Sequence, residues 1–228
     1  FLSIHNNRQF FEIKDEKDWS KYEIIYFPHK GIGYGAFYLK DYFYSSDPRN
    51  PFQFSKILHF SIGENWSDIE TSLQYYKDKG ISYADWGANN LIAKKEMIFI
   101  LLIFSFKNII LAWKEFELYM LMVFVYNYIK IKSHMKKLEK IPKLKIVLVG
   151  FDILFPIHLA LACRIKKIST IAVQERMISA WWAKPFLMEH YFVWGPASMK
   201  VLELRFKGLI KDTYEIGPIR LNNHYAVD

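Results

Sequence analysis

The sequence predicts an α/β fold built on an open, mainly parallel β-sheet with helices on both faces. Three observations carry that expectation. Strand-like and helix-like segments alternate through the second half of the chain. Its strand candidates are near-continuous apolar runs, the pattern of strands covered on both sides, rather than the apolar-polar alternation of a half-exposed sheet. With 228 residues and 52% hydrophobic content, the chain can bury a large core.

Taken in order, Tyr22 to Phe27 is a short β-rich run, closed by Pro28 and followed by a loop containing Gly31, Gly33 and Gly35. A second strand candidate, Lys56 to Ile62, ends at Gly63. Ser67 and Glu70 then stand at the spacing of a capping box, before a helical run closed by Gly80. From Lys94 to about Lys140 there is no glycine or proline, which predicts one long helix or a helical pair. The lysine-rich stretch Ser133 to Lys145, with Pro142 inside it, marks a boundary. Beyond it the expected elements are a strand at Lys145 to Val149, a helix at Phe155 to Lys167 and a strand at Ser169 to Val173. A strand at His190 to Trp194, a helix at Ala197 to Phe206 and a strand at Thr213 to Ile216 complete the series.

A formal net charge of +8 favours anionic partners: nucleotide, acidic lipid, polyanionic glycan or nucleic acid. The lysines are scattered and no nucleic-acid recognition module is legible, so nucleic acid is not expected. The single cysteine, Cys163, lies in an apolar helical pattern, which excludes a disulfide framework and predicts a buried core residue. In the most apolar window, Met97 to Trp113, Lys107 and Asn108 interrupt the run well short of the ~20 residues a spanning helix needs. No transmembrane segment is expected. Lys130, Lys132, Lys136, Lys137 and Lys140 follow an apolar helical stretch, and either lie on anionic lipid or form a solvated helix face.

In an open parallel sheet, ligands collect outside the carboxyl ends of the strands. After the first strand comes FPHKGIGYG, with His29, Lys30 and three glycines whose bare backbone can approach a sugar or phosphate. His29 is a candidate general base, because an unperturbed imidazole titrates near ~6.5. The alternative is a turn that needs positive φ and a histidine that caps it. Gln174, Glu175 and Arg176 leave an apolar strand as three consecutive polar residues that need partners. Glu175 is either a base toward an acceptor hydroxyl or the partner of Arg176. Asp152 either binds sugar hydroxyls or caps the helix near Pro156. Trp181, Trp182 and Tyr191 stack on sugar rings or, the cheaper reading at 18% aromatic content, pack in the core. No DxD, HExxH or clustered His and Cys set is present, so no metal is expected.

The strings YFPHKGIGYGAFYLKDYFYSSD, KILHFSIGEN, IAVQERMISAWW, HYFVWGPASMKVL and YEIGPIR resemble bacterial surface carbohydrate biosynthesis proteins of capsule or lipopolysaccharide type, with a GT-B-like architecture. The later half is also similar to the middle of polysialyltransferase-like and glycerophosphotransferase-like enzymes. In those, a strand ending in a Gln-His-Gly turn precedes a strand ending in Gly and another ending in a Gly-x-x-Arg turn. Gln174, Gly195 and Gly217 to Arg220 stand at the corresponding places, while Glu175 and Arg176 replace the His and Gly.

The resemblance implies a Rossmann-like acceptor-side domain over residues 1–220, with a helical insertion at about 94–140. Residues 221–228 would begin the linker to a C-terminal domain that holds the nucleotide-activated sugar. It implies a metal-independent glycosyltransferase located in the cytoplasm, peripheral on the inner face of the plasma membrane. His29 or Glu175 would supply the base. Lys30, Asp152, Gln174, Arg176, Arg220 and glycines 31, 33 and 35 would receive the glycan acceptor. The alternative is a non-catalytic scaffold that binds membrane or glycan.

Overall fold

The computed structural model describes residues 16–27, 57–61, 82–86, 102, 115–150, 155–174, 178 and 186–217. Seven strands form one sheet: β1 (Ile24–Phe27), β2 (Ile57–Ser61), β3 (Ser82–Asp85), β4 (Ile146–Val149), β5 (Ser169–Val173), β6 (Met188–Val193) and β7 (Ile210–Glu215). Their order is β3-β2-β1-β4-β5-β6-β7, and every pairing is parallel. This is a Rossmann-like α/β sheet, with the strand order reversing between β1 and β4. Three helices are described: α1 (Glu115–Glu139), α2 (Ile157–Ile165) and α3 (Pro196–Arg205), with a 3-10 turn at Glu16–Lys21 before β1.

Side chains alternate between the faces of a strand and paired residues share a face. Ile25 and Phe27 of β1 therefore lie on the same face as Leu58, Phe60, Val147 and Val149. That face forms a single core with Leu138 of α1, Leu159, Ala162 and Cys163 of α2, and Leu202 of α3. On the opposite face Tyr26, Ile57, His59 and Leu148 are buried as well, so the central strands are covered on both sides. Continuous apolar composition in IIYF and IVLV follows directly from that double burial. Cys163 is fully buried, and burial pushes its thiol up to about 12, as a core residue requires.

Most expected elements stand within a residue or two of their predicted ends. β6 and β7 begin earlier than predicted, at Met188 and Ile210. The lysine-rich boundary stretch, Ser133 to Lys145, contains the end of α1 at Glu139, one residue from the expected helix end near Lys140. β3 was not expected. Its sequence, SYAD, has no apolar run to mark it, and it tolerates that composition because it lies at the sheet edge. The expected helix before Gly80 and the first part of the long helical segment lie outside the described residues.

α2 ends in a Schellman cap. The amide of Ile168 donates to Cys163 O at 2.9 Å and that of Lys167 to Arg164 O at 3.1 Å, with Lys167 itself left-handed at φ 58°. α1 and α2 run side by side in the same direction. Asn127 meets His158 in the first turn of α2, and Glu139 pairs with Lys166 just past its end. Residues 115–126 of α1 therefore extend beyond the N-terminal end of α2, on the side where the strands have their carboxyl ends. Among the described residues no helix is long and apolar enough to cross a membrane.

Candidate functional site

The switch point lies between Phe27 and Val149, the paired last residues of β1 and β4. The amide of Gly150 donates to Phe27 O at 2.9 Å and closes the ladder there. Beneath this crevice the strand ends contribute an aromatic floor. The Phe27 ring stacks on Phe60 at 5.8 Å and meets Trp86 edge-on at 5.3 Å and Phe155 at 5.7 Å. All four are buried and form an apolar layer under the strand ends.

α2 begins beside the crevice. Its N-cap is Pro156, which makes no side-chain cap hydrogen bond, and its first turn carries no acid. The positive end of this helix is thus turned toward the carboxyl edge, and among the described residues its first turn carries no counter-charge, an arrangement that favours an anionic group.

A polar cluster joins the helix layer to this edge. Asn127 Nδ2 donates to Val123 O at 2.7 Å, which fixes the amide with Oδ1 toward α2. His158 Nε2 then donates to that Oδ1 at 2.5 Å, leaving Nδ1 as the basic nitrogen of the neutral ring. Burial, followed by the charge of Lys130, lowers the His158 pKa, so the neutral form is favoured. Two turns of α1 beyond Asn127, His134 Nδ1 accepts the indole N–H of Trp86 at 3.1 Å, which puts its own proton on Nε2. Burial holds the His134 pKa at about 4, with Lys137, His158 and Lys130 adding to the effect. The buried Lys137 ammonium donates to Trp86 O and lies 5.5 Å from the centre of the Trp86 ring. The cluster therefore holds His158 in its neutral form, with burial and Lys130 opposing its protonation. The other imidazole, His134, is committed to holding Trp86.

Sequence reasoning missed these residues. Lys137 belongs to the lysine run expected to lie on anionic lipid or form a solvated helix face, and no local pattern singles out His134. His158 follows Pro156 in the first turn after the KIVLV strand, a position whose meaning depends on β4 flanking the switch point. That strand order is not legible from spacing alone.

Of the residues predicted to form the site, Gln174 is described. It is buried at the mouth of β5 and its amide donates to Phe192 O at 2.7 Å. Its Oε1 accepts the backbone N–H of Trp194 at 2.8 Å, while its carbonyl accepts the Trp194 indole N–H at 2.7 Å. The polar side chain leaving an apolar strand has thus found partners, and they tie the end of β5 to the end of β6. Tyr191 is fully buried against Phe186, which settles its packing role. His29, Lys30, Gly31, Gly33, Gly35, Asp152, Glu175, Arg176 and Arg220, with Trp181 and Trp182, lie outside the described residues. Gly195 has extended backbone, φ 172°, whereas Gly217 is left-handed at φ 77°.

Away from the edge, His190 on β6 lies 3.2 Å from the carboxylate of Asp212 on β7 and 3.4 Å from the Tyr214 hydroxyl. This triad sits within the strand pairing rather than at the strand ends. Among the described residues no three His, Cys, Asp or Glu side chains converge as a metal-ligand set. Compared with known proteins, the chain matches no family model, no curated protein and no solved structure.

Proposed function

We propose that this chain is the acceptor-side half of a GT-B-type glycosyltransferase acting in bacterial surface polysaccharide biosynthesis. The observation that carries the reading is topological. An all-parallel sheet reverses its strand order between β1 and β4, so β1, β4 and β5 open onto one crevice. In the sequence, His29, Asp152 and the pair Glu175 and Arg176 follow those three strand ends within a few residues. The open positive end of α2 and the neutral His158 beside it suit the same chemistry: an acceptor hydroxyl losing its proton close to a departing diphosphate.

In this mechanism a base, His29 or Glu175, takes the proton of an acceptor hydroxyl. The oxygen forms a bond to the anomeric carbon of the donor sugar as the bond from that carbon to the nucleoside diphosphate breaks. Lys30, Arg176 and Arg220 hold anionic groups, glycines 31, 33 and 35 admit the glycan, and Asp152 receives sugar hydroxyls. Gln174 acts by fixing the strand end from which Glu175 and Arg176 continue. A C-terminal domain would bring the nucleotide sugar, and the chemistry calls for no metal.

A bacterial-glycan array probed with this chain tests the acceptor half. Specific binding of surface oligosaccharides is expected, reduced at least ~10-fold by Arg176→Ala, in line with loss of a charge-assisted contact. Absence of any glycan binding by a folded chain, or binding indifferent to Arg176, refutes the assignment.

A further inference from the structure

The N-terminal half of α1 is an exposed apolar surface on a helix otherwise marked by cations. Tyr119, Met120, Met122, Phe124 and Tyr126 are each more than half exposed, while Val125 is the buried residue among them. Tyr119, Met122, Val123 and Tyr126 stand at positions i, i+3, i+4 and i+7 of a single helix face. Lys130 continues that face one turn on, its ammonium 5.5 Å from the Tyr126 ring, and Lys132 lies 5.7 Å from the Tyr128 ring. From Leu118 to Leu138 the sequence contains lysines and no acid.

A monomer in water has no use for so large an apolar patch at the projecting end of a helix. Its composition identifies the occupant. Tyrosines, a phenylalanine and methionines beside lysines form the amphipathic set that sits at a bilayer interface, with apolar bodies among the acyl chains and cations at headgroup level. The lysines beside the patch and the net charge of +8 are attracted to an anionic surface. Among the described residues no helix, α1 included, is long and apolar enough to cross a membrane.

We infer that residues 119–132 of α1 dock the protein on an anionic bilayer. Those residues include the segment that extends past the start of α2 on the carboxyl side of the sheet. Docking there holds the crevice between β1 and β4 near the lipid headgroups, whatever reaction the crevice carries out.

Flotation of the whole chain with phosphatidylcholine vesicles, alone and mixed with phosphatidylglycerol, tests this. The protein floats with the mixed vesicles at low salt, and high salt or neutral vesicles release it. Lys130→Gln with Lys132→Gln weakens partitioning about 30-fold, the equivalent of ~1 kcal/mol per lysine. Met120→Asp with Met122→Asp abolishes it while the circular-dichroism spectrum stays that of the wild type, since both side chains are more than half exposed. Equal binding to neutral and anionic vesicles overturns the inference, as does failure to float with either. Sedimentation equilibrium showing a dimer that Met122→Asp disrupts, without flotation, assigns the patch to a second copy instead and also overturns it.

Discussion

Gln174 accepts two hydrogen bonds from Trp194. The glutamine Oε1 takes the tryptophan backbone N–H at 2.8 Å, and the glutamine carbonyl takes the indole N–H at 2.7 Å. The pair welds the carboxyl end of β5, the strand next to β4, to that of β6. Replacing Gln174 with Ala strands the Trp194 amide in a part-buried setting, at a cost of ~2 kcal/mol. Trp194→Phe, which removes the indole donor and leaves the Gln174 carbonyl, costs ~1 kcal/mol. Chemical denaturation of both variants checks the order; equal stability of wild type and Gln174→Ala would show that the contact does not form.

Lys167 adopts a left-handed backbone at the Schellman position that glycine prefers. A side chain there is strained by roughly 1 kcal/mol. Lys167→Gly is therefore expected to raise the melting temperature by a few degrees. A lower Tm would mean that the lysine side chain contributes more than the backbone strain takes away.

The hydroxyl of Tyr22 is buried with no hydrogen-bond partner among the described residues. Tyr22→Phe keeps the ring and removes the orphaned group, so stability should be unchanged or rise by ~1 kcal/mol. A loss of that size in equilibrium unfolding would reveal a partner for the hydroxyl.

His59 is fully buried in β2 and burial holds its pKa at about 3, while His134 is held at about 4. Both are lowered from 6.5, so the unfolded chain takes up protons before the folded one does. Stability from these groups is complete above about 6.5 and falls as pH drops toward about 4 for His134 and about 3 for His59. The slope approaches ~1.4 kcal/mol per pH unit for each histidine. Denaturant melts of wild type and His134→Gln between pH 7 and pH 4 should show a shallower acid loss in the variant. Parallel curves would contradict the burial assigned to His134.

The fold was legible because double burial leaves a plain mark: IIYF, ILHFS and IVLV can be little else but central parallel strands. SYAD could not be read, because an edge strand needs no apolar run. The site was legible as an edge and not as a set of contacts. Gln174 stood out as a polar residue ending an apolar strand, but its partner Trp194 depends on β5 and β6 being neighbours. His134, Lys137 and Trp86 meet across a crossover from β3 to α1 that no local pattern encodes. His158 gains its meaning from the strand order.

The central claim is that ligands enter at the carboxyl ends of the strands, between β1 and β4. A backbone-amide NMR titration of the chain with bacterial surface oligosaccharides tests it most directly. The account predicts shifts at Gly150, His158 and Gln174, with Lys145, Lys166 and Gly208 at the opposite edge unmoved. Shifts confined to that opposite edge, or spread over the His190 and Asp212 surface, would contradict it.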